Sequence, residues 1–496
     1  MTESAGGRHI AVVGGGIAGL AAAYFLRAAG ATVTVYEGSP RLGGKLAVSD
    51  VAGVAMDAGA EALLTRRPEG TALIGEVGLS GQLVPAATTA ARIWSRGTFH
   101  DLPARQFMGV PSDVGALAGS ALLSAGGLAR ARLDGELPGT PLDGDVSVAA
   151  HVAARFGQEV VDRLVDPLLG GVYAGRSEEL SLEATMPALA AAARRHRSLA
   201  EAAGSLIPPP SPGPRPPVFA TLTGGLGLLP AAVAGASGAR IRTQTMVREL
   251  SRAPGGWRLV TGPASAPRTA TADAVILAVP ATPASRLLAG SQPPGPARAA
   301  AAELAGIPYA SMAIVTLAYP KPAFPARPAG SGYLVPAVDG RAVKGVTFST
   351  VKWPHLSPDG GQDDQAPHIV RCSIGRIGED AVLQRDDTEL AALAAAELAA
   401  ATGLTGRPLE SRVTRWGGAL PQYTVGHTGR EARIRAAIAA EPGLAVCGAA
   451  YDGVGVPACI ATARAAADQV LGYLAGLNGG RAGPGPRASQ SGDGGQ

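Results

Sequence analysis

Cysteine is almost missing from this chain of 496 residues, which holds only Cys372, Cys447 and Cys459. None forms C-x-x-C, and an odd count supplies neither a disulfide framework nor a thiolate metal site, so a reducing cytoplasm is the expected setting. Charge is sparse as well: 17% of residues are charged and 46% hydrophobic, a balance that excludes a disordered chain and fits a core-rich globular one. Lysine and arginine together (43) barely exceed aspartate and glutamate (39), and the excess of +4 is scattered. A nucleic-acid partner would need a concentrated basic stripe and is excluded on that ground. A weak preference for carboxylated small molecules, or peripheral contact with an anionic membrane surface, is compatible with the balance. No apolar run reaches the roughly 18 residues needed to span a bilayer. Residues 1–8 are short and polar, without the apolar stretch of a signal peptide. There is no Ser-His-Asp pattern, no pair of acids at catalytic spacing and no metal-ligand cluster. His100, His151, His196, His355, His368 and His427 are scattered and read as structural or exposed.

What is present is concentrated near the start. Residues 9–13 form a short apolar strand, followed by Gly14-Gly15-Gly16-Ile17-Ala18-Gly19, an alanine-rich helical stretch that closes at Gly30, and a β-branched run ending on Glu37. In such a unit Gly14 permits the tight turn, Gly16 lets backbone approach a pyrophosphate, and Gly19 lets helix pack on strand. The helix N-terminus offers unpaired N–H groups to the phosphates. Glu37 falls where a ribose diol needs an acceptor. The unit therefore predicts a dinucleotide site.

The next turns favour FAD over a nicotinamide cofactor. Arg41-Leu42-Gly43-Gly44-Lys45 adds a glycine pair after the second strand, and Asp57-Ala58-Gly59-Ala60 adds a third permissive turn. These steps resemble the large flavoprotein group that includes amine oxidases, phytoene desaturases and porphyrinogen oxidases. A late strand leads into Gly448 and Gly453-Val454-Gly455-Val456-Pro457, then a helix. That helix N-terminus would stabilise the anionic reduced flavin.

Length suggests two or three sub-domains. The expected organisation is an α/β, FAD-binding Rossmann-like domain assembled from residues 1–90, 218–300 and 441–475. Residues 91–206 form a mainly helical inserted lobe, in which residues 91–100 read as a hairpin turning at Arg96-Gly97. Residues 207–217 carry seven prolines in eleven positions and read as a linker. Residues 301–440 form a second, mixed-sheet substrate domain. Residues 476–496 read as a disordered polar tail.

Three longer segments make the resemblance specific. They are Pro167-Leu168-Leu169-Gly170-Gly171-Val172-Tyr173-Ala174-Gly175, Trp416-Gly417-Gly418-Ala419-Leu420-Pro421-Gln422-Tyr423, and Ala449-Ala450-Tyr451-Asp452-Gly453-Val454-Gly455-Val456-Pro457. Each resembles the FAD-dependent protoporphyrinogen/coproporphyrinogen III oxidases, in their soluble Gram-positive type. The resemblance implies a six-electron oxidation of a tetrapyrrole substrate with O2 as acceptor, flavin N5 taking the hydride and no catalytic side chain. It also leaves room for transient contact with the next enzyme of the haem pathway. The flavin contacts it implies are Gly14, Gly15, Gly16, Ile17, Ala18, Gly19, Glu37, Gly38, Gly43, Gly44, Lys45, Gly59, Ala60, Glu61, Ala62, Val247, Trp416, Gly448, Val454, Gly455 and Val456. On the substrate side it implies Arg92 as an anchor for a propionate, Gly175 facing the pyrrole N–H groups, and Leu334 and Trp353 against the macrocycle. Arg66 and Arg67 could meet a second carboxylate. Coproporphyrinogen III is favoured, with protoporphyrinogen IX as the alternative. An amine oxidase, a carotenoid desaturase and a non-catalytic FAD-binding partner remain as rivals.

Overall fold

The computed structural model describes residues 7–209, 217–357 and 366–479. The proline-rich segment falls mostly on 210–216, and the polar tail on 480–496; both lie outside the described residues. The last helix, Val456–Gly479, runs past the point where the sequence suggested the tail begins. Its alanine and leucine residues up to Leu474 pack on the helix Ile17–Ala28, so the glycine at 476 continues a helix already nucleated by packing.

Two sheets organise the chain. The first has five parallel strands in the order Arg240–Arg242, Thr32–Tyr36, His9–Val13, Ala274–Leu277 and Leu444–Val446. Apart from the edge strand Arg240–Arg242, its strands are largely apolar and buried because both faces are covered. Helices Ile17–Ala28, Leu229–Ser237 and Val456–Gly479 pack on one face. The antiparallel strands Val247–Ala253, Gly256–Thr261 and Arg268–Ala272, with helices Ala281–Ala289, Ala297–Ala305 and His427–Ala439, cover the other. The helix at 427–439 thus belongs to the core of the first sheet, through Ile434 and Ile438, although it lies inside the 301–440 stretch.

The second sheet has seven strands, in the order Glu410–Pro421, Tyr309–Tyr319, His368–Ile374, Val343–Phe348, Gly332–Leu334, Ala91–Ser95 and Thr98–Asp101. Helix Asp387–Thr402 backs its outer face. The hairpin at 91–101 is therefore an edge of this sheet and not part of a helical lobe, which moves the expected boundary at 91. Strand Ala91–Ser95 joins through parallel pairing of Tyr333 with Arg92, a long-range contact invisible to local patterning. A third core gathers the helices between 110 and 206, with Tyr423 inserted from the second sheet. Among the described residues, no helix is long and apolar enough to cross a membrane.

Candidate cofactor and substrate cavity

The sheets meet around one cavity of about 1350 Å3. Ligand sites for drug-sized molecules occupy about 300–1,000 Å3, so this space has room for a large cofactor and a second molecule together.

One half is built from backbone. Helix Ile17–Ala28 begins at Gly16 with no side-chain cap and no acid in its first turn, so its leading N–H groups are left for another partner. Gly16 faces the cavity: a Cβ placed there would meet nothing nearer than Gly44 Cα, at 4.0 Å. The Gly43 turn is tied to the first one, Gly43 N donating to Gly15 O at 2.8 Å. Glu37 ties the first turn to the start of the segment that leads into the second. Its Oε2 accepts from Gly15 N at 2.7 Å and its Oε1 from Ser39 N at 2.7 Å. Trp416 closes the third turn by donating Nε1–H to Ala58 O at 2.9 Å. Lys45 lines the same half, and burial lowers its pKa.

The other half is the inner face of the second sheet. Register places Ile314, Ser373 and Gly345 side by side across three strands, with Arg371 beside Thr347 on the next row. Met312, Leu334, Leu420 and Val172 add apolar surface. Glu61 sits between the halves. Burial alone would raise its carboxyl, but Lys352 (2.7 Å) and Arg371 outweigh that and hold it down at about 2. Arg371 also donates to Gly59 O at 2.6 Å, so one ionic cluster locks the third glycine turn to the second sheet.

The structure brings most of the implied cofactor positions to this cavity: Gly14, Gly16, Ile17, Ala18, Glu37, Gly38, Gly43, Gly44, Lys45, Gly59, Ala60, Glu61, Ala62, Val247, Trp416, Gly448, Val454, Gly455 and Val456. Gly15 and Gly19 stand behind them. Gly19 packs against the Gly14 carbonyl, and a Cβ on Gly15 would meet Leu42. On the substrate side only Leu334 lines it.

The structure places the other substrate expectations outside this lining. Arg92 pairs across its hairpin, Nε to Asp101 Oδ1 at 3.0 Å, and lies over the Phe99 ring at 4.7 Å. It is held between Tyr333 and Asp101, one strand in from the sheet edge, and does not line the cavity. Gly175 is turned away because the helix Asp166–Tyr173 ends on Ala174 in the left-handed conformation; Gly175 then backs onto Gln422 and Leu180. Gly171 and Val172, one turn earlier, face the cavity instead. Arg66 is exposed, and Arg67 is paired with Glu69 at 2.9 Å, both beyond the point where the chain leaves the third turn. Trp353 is buried beside His355 and Lys352, outside the lining. Tyr173 is a core aromatic: burial pushes its phenol up to about 12, and it packs on Tyr423, which stacks on His427 at 4.1 Å. Met312, Ile314, Lys344, Arg371 and Ser373 were missed. Strand alternation was the available signal, but only sheet register says which face is inward. Among the described residues, no group of three or more His, Cys, Asp or Glu could hold a metal ion.

Comparison with known proteins agrees with this geometry. The family model described as flavin containing amine oxidoreductase matches residues 17–471. The chain is 40% identical over 478 residues to the coproporphyrinogen III oxidase of Mycobacterium tuberculosis (strain ATCC 25618 / H37Rv), covering 94% of this chain and 98% of that one. It is 30% identical over 487 residues to the coproporphyrinogen III oxidase of Bacillus subtilis (strain 168), covering 95% and 99%. Among solved structures, a chain from Exiguobacterium sp. 255-15, provisionally named a protoporphyrinogen oxidase, matches with a TM-score of 0.80 and 29% identity over 95% of this chain and 99% of that one. Cyclohexylamine oxidase from Brevibacterium oxydans IH-35A, with a TM-score of 0.67 and 17% identity over 95% and 100%, shares the fold.

Proposed function

We propose that this chain, which belongs to the flavin containing amine oxidoreductase family and within it to the coproporphyrinogen III oxidases, oxidises coproporphyrinogen III to coproporphyrin III in haem biosynthesis. FAD is its cofactor. When bound, FAD supplies the acceptor for a hydride and hands the electrons on to O2. The balance is one coproporphyrinogen III and three O2 to one coproporphyrin III and three H2O2.

The chain's own residues bind and orient. The uncapped start of helix Ile17–Ala28 and the open face at Gly16 fit a pyrophosphate, which needs N–H donors and close backbone approach. Glu37 keeps lone pairs for a ribose diol while its two backbone bonds fix its aim. Val247, in the lining, would hold the adenine, and the Gly448 and Val454–Val456 backbone, leading into helix Val456–Gly479, would flank the ring system. Met312, Ile314, Leu334 and Leu420 supply the flat apolar wall that a macrocycle requires and exclude water from the reacting carbon.

The observation that carries this reading is the single cavity joining a glycine cradle to an apolar sheet face, in a chain 40% identical to a coproporphyrinogen III oxidase over nearly its whole length. The test is to oxidise coproporphyrinogen III and protoporphyrinogen IX side by side and follow porphyrin fluorescence. A kcat/KM at least roughly tenfold higher for coproporphyrinogen III is expected, since a site that pairs carboxylates loses that pairing with vinyl edges. A preference for protoporphyrinogen IX would overturn the substrate while leaving the flavin enzyme intact.

A further inference from the structure

With Arg92, Arg66 and Arg67 outside the lining, the substrate half needs another source of positive charge if it is to hold carboxylates. One side chain there is buried, cationic in type and without a counterion. Lys344 is 3% exposed and lines the cavity. It lies in strand Val343–Phe348 at a β-bulge: Val343 pairs with Ile374 and Gly345 with Ser373, so Lys344 is the extra residue. Bulges re-aim a side chain that strand alternation would have sent elsewhere.

The Lys344 Nζ donates one hydrogen bond, to Gly375 O at 2.7 Å. An ammonium has three donors. No carboxylate among the described residues pairs with it, and the acids of the surrounding elements are engaged elsewhere. Glu379 is held by Arg376 at 3.4 Å and Arg176 at 3.2 Å. Glu397 accepts from Ala342 N and Val343 N at 3.1 and 2.9 Å. The neighbouring Arg376 adds repulsion, which Glu379 offsets only in part. Burial first, then Arg376, pulls the Lys344 ammonium down to about 7. A buried ammonium short of one negative charge, on the wall of a substrate cavity, is a site completed by an anionic ligand.

We infer that Lys344 receives one carboxylate of the substrate and sets the preference for the more highly carboxylated porphyrinogen. This inference rests on the proposed function. A carboxylate seated there also favours the charged lysine, so binding takes up a proton when the free enzyme's Lys344 is neutral. The sign follows: affinity is full below about pH 7 and weakens as pH rises above it.

The experiment uses the FAD-loaded enzyme and the stable porphyrins, with binding followed by fluorescence. Lys344→Met keeps the apolar stem and removes a buried unpaired charge, so it is expected to fold; Lys344→Arg keeps the charge. Lys344→Met should weaken coproporphyrin III binding roughly 10–100-fold, the worth of one hydrogen bond to a charged group. It should weaken protoporphyrin IX binding less, and lose the pH dependence near 7. Lys344→Arg should restore part of the affinity and shift the dependence out of that range. In turnover, the loss should fall on KM more than on kcat. A Lys344→Met enzyme with wild-type affinity for both porphyrins, or with equal losses for both, would overturn the inference. So would a fall in kcat alone, which would mark a proton-transfer role. If wild-type enzyme neither binds nor oxidises either tetrapyrrole, the proposed function itself falls; if it does both and only the variant comparison fails, the assignment of Lys344 alone is lost.

Discussion

Gly16→Val is expected to give a folded protein that has lost FAD, with affinity reduced by at least about 100-fold. The position is open to the cavity, so the new side chain has room and the fold is not strained: φ is −72° and the nearest atom to its Cβ is 4.0 Å away. What it removes is space for a pyrophosphate at the helix start, where close backbone approach supplies the donors. The neighbouring glycine behaves differently. A Cβ on Gly19 collides with the carbonyl oxygen of Gly14, so Gly19→Ala should disturb the fold itself. Flavin content and circular dichroism of both variants separate the two effects. Normal flavin content in a folded Gly16→Val protein would remove the pyrophosphate from that turn.

Arg155→Met should be the most destabilising single change in the helical core, at about 3–5 kcal/mol, because it strands a buried carboxylate. Arg155 and Asp134 are 2% and 1% exposed, with Nε to Oδ1 at 2.6 Å. Asp134 also accepts from Ser198 Oγ at 2.7 Å, Leu199 N at 3.1 Å and Ala200 N at 2.9 Å. The pair therefore ties the segment at 133–135 to helices Val148–Phe156 and Leu199–Ser205. Urea midpoints should show Arg155→Met far below wild type, and the double change Asp134→Leu/Arg155→Met partly recovered, since an apolar pair leaves no stranded charge. Breaking an exposed pair such as Arg412–Glu410 should cost less than about 1 kcal/mol. A single Arg155→Met loss of that small size would show that the buried pair does not organise the lobe.

The two strands that open the first sheet, and the glycine turn between them, were legible because their signals are local. Strand, Gly14 to Gly19, helix and Glu37 follow one another within thirty residues, and each glycine answers a backbone need. The substrate face was not legible, because it is made by pairing strands far apart in sequence. Lys344 points inward only because of a bulge, a feature that no alternation pattern contains. The place of Arg92 was legible in the sequence itself. A hairpin turning at Arg96-Gly97 sets Arg92 opposite Asp101, and opposite charges facing each other across two strands make a surface pair. The helical core hid Asp134 and Arg155 for another reason: 21 positions apart, they carry no motif, and only packing shows them to be partners.

The most direct test of the central claim is to mix the purified, FAD-loaded protein with coproporphyrinogen III without oxygen and record the visible spectrum. The flavin absorbance should bleach within the mixing experiment and return when oxygen is admitted, with coproporphyrin III appearing as peroxide accumulates. A flavin that stays oxidised with coproporphyrinogen III, and with protoporphyrinogen IX under the same conditions, would contradict it.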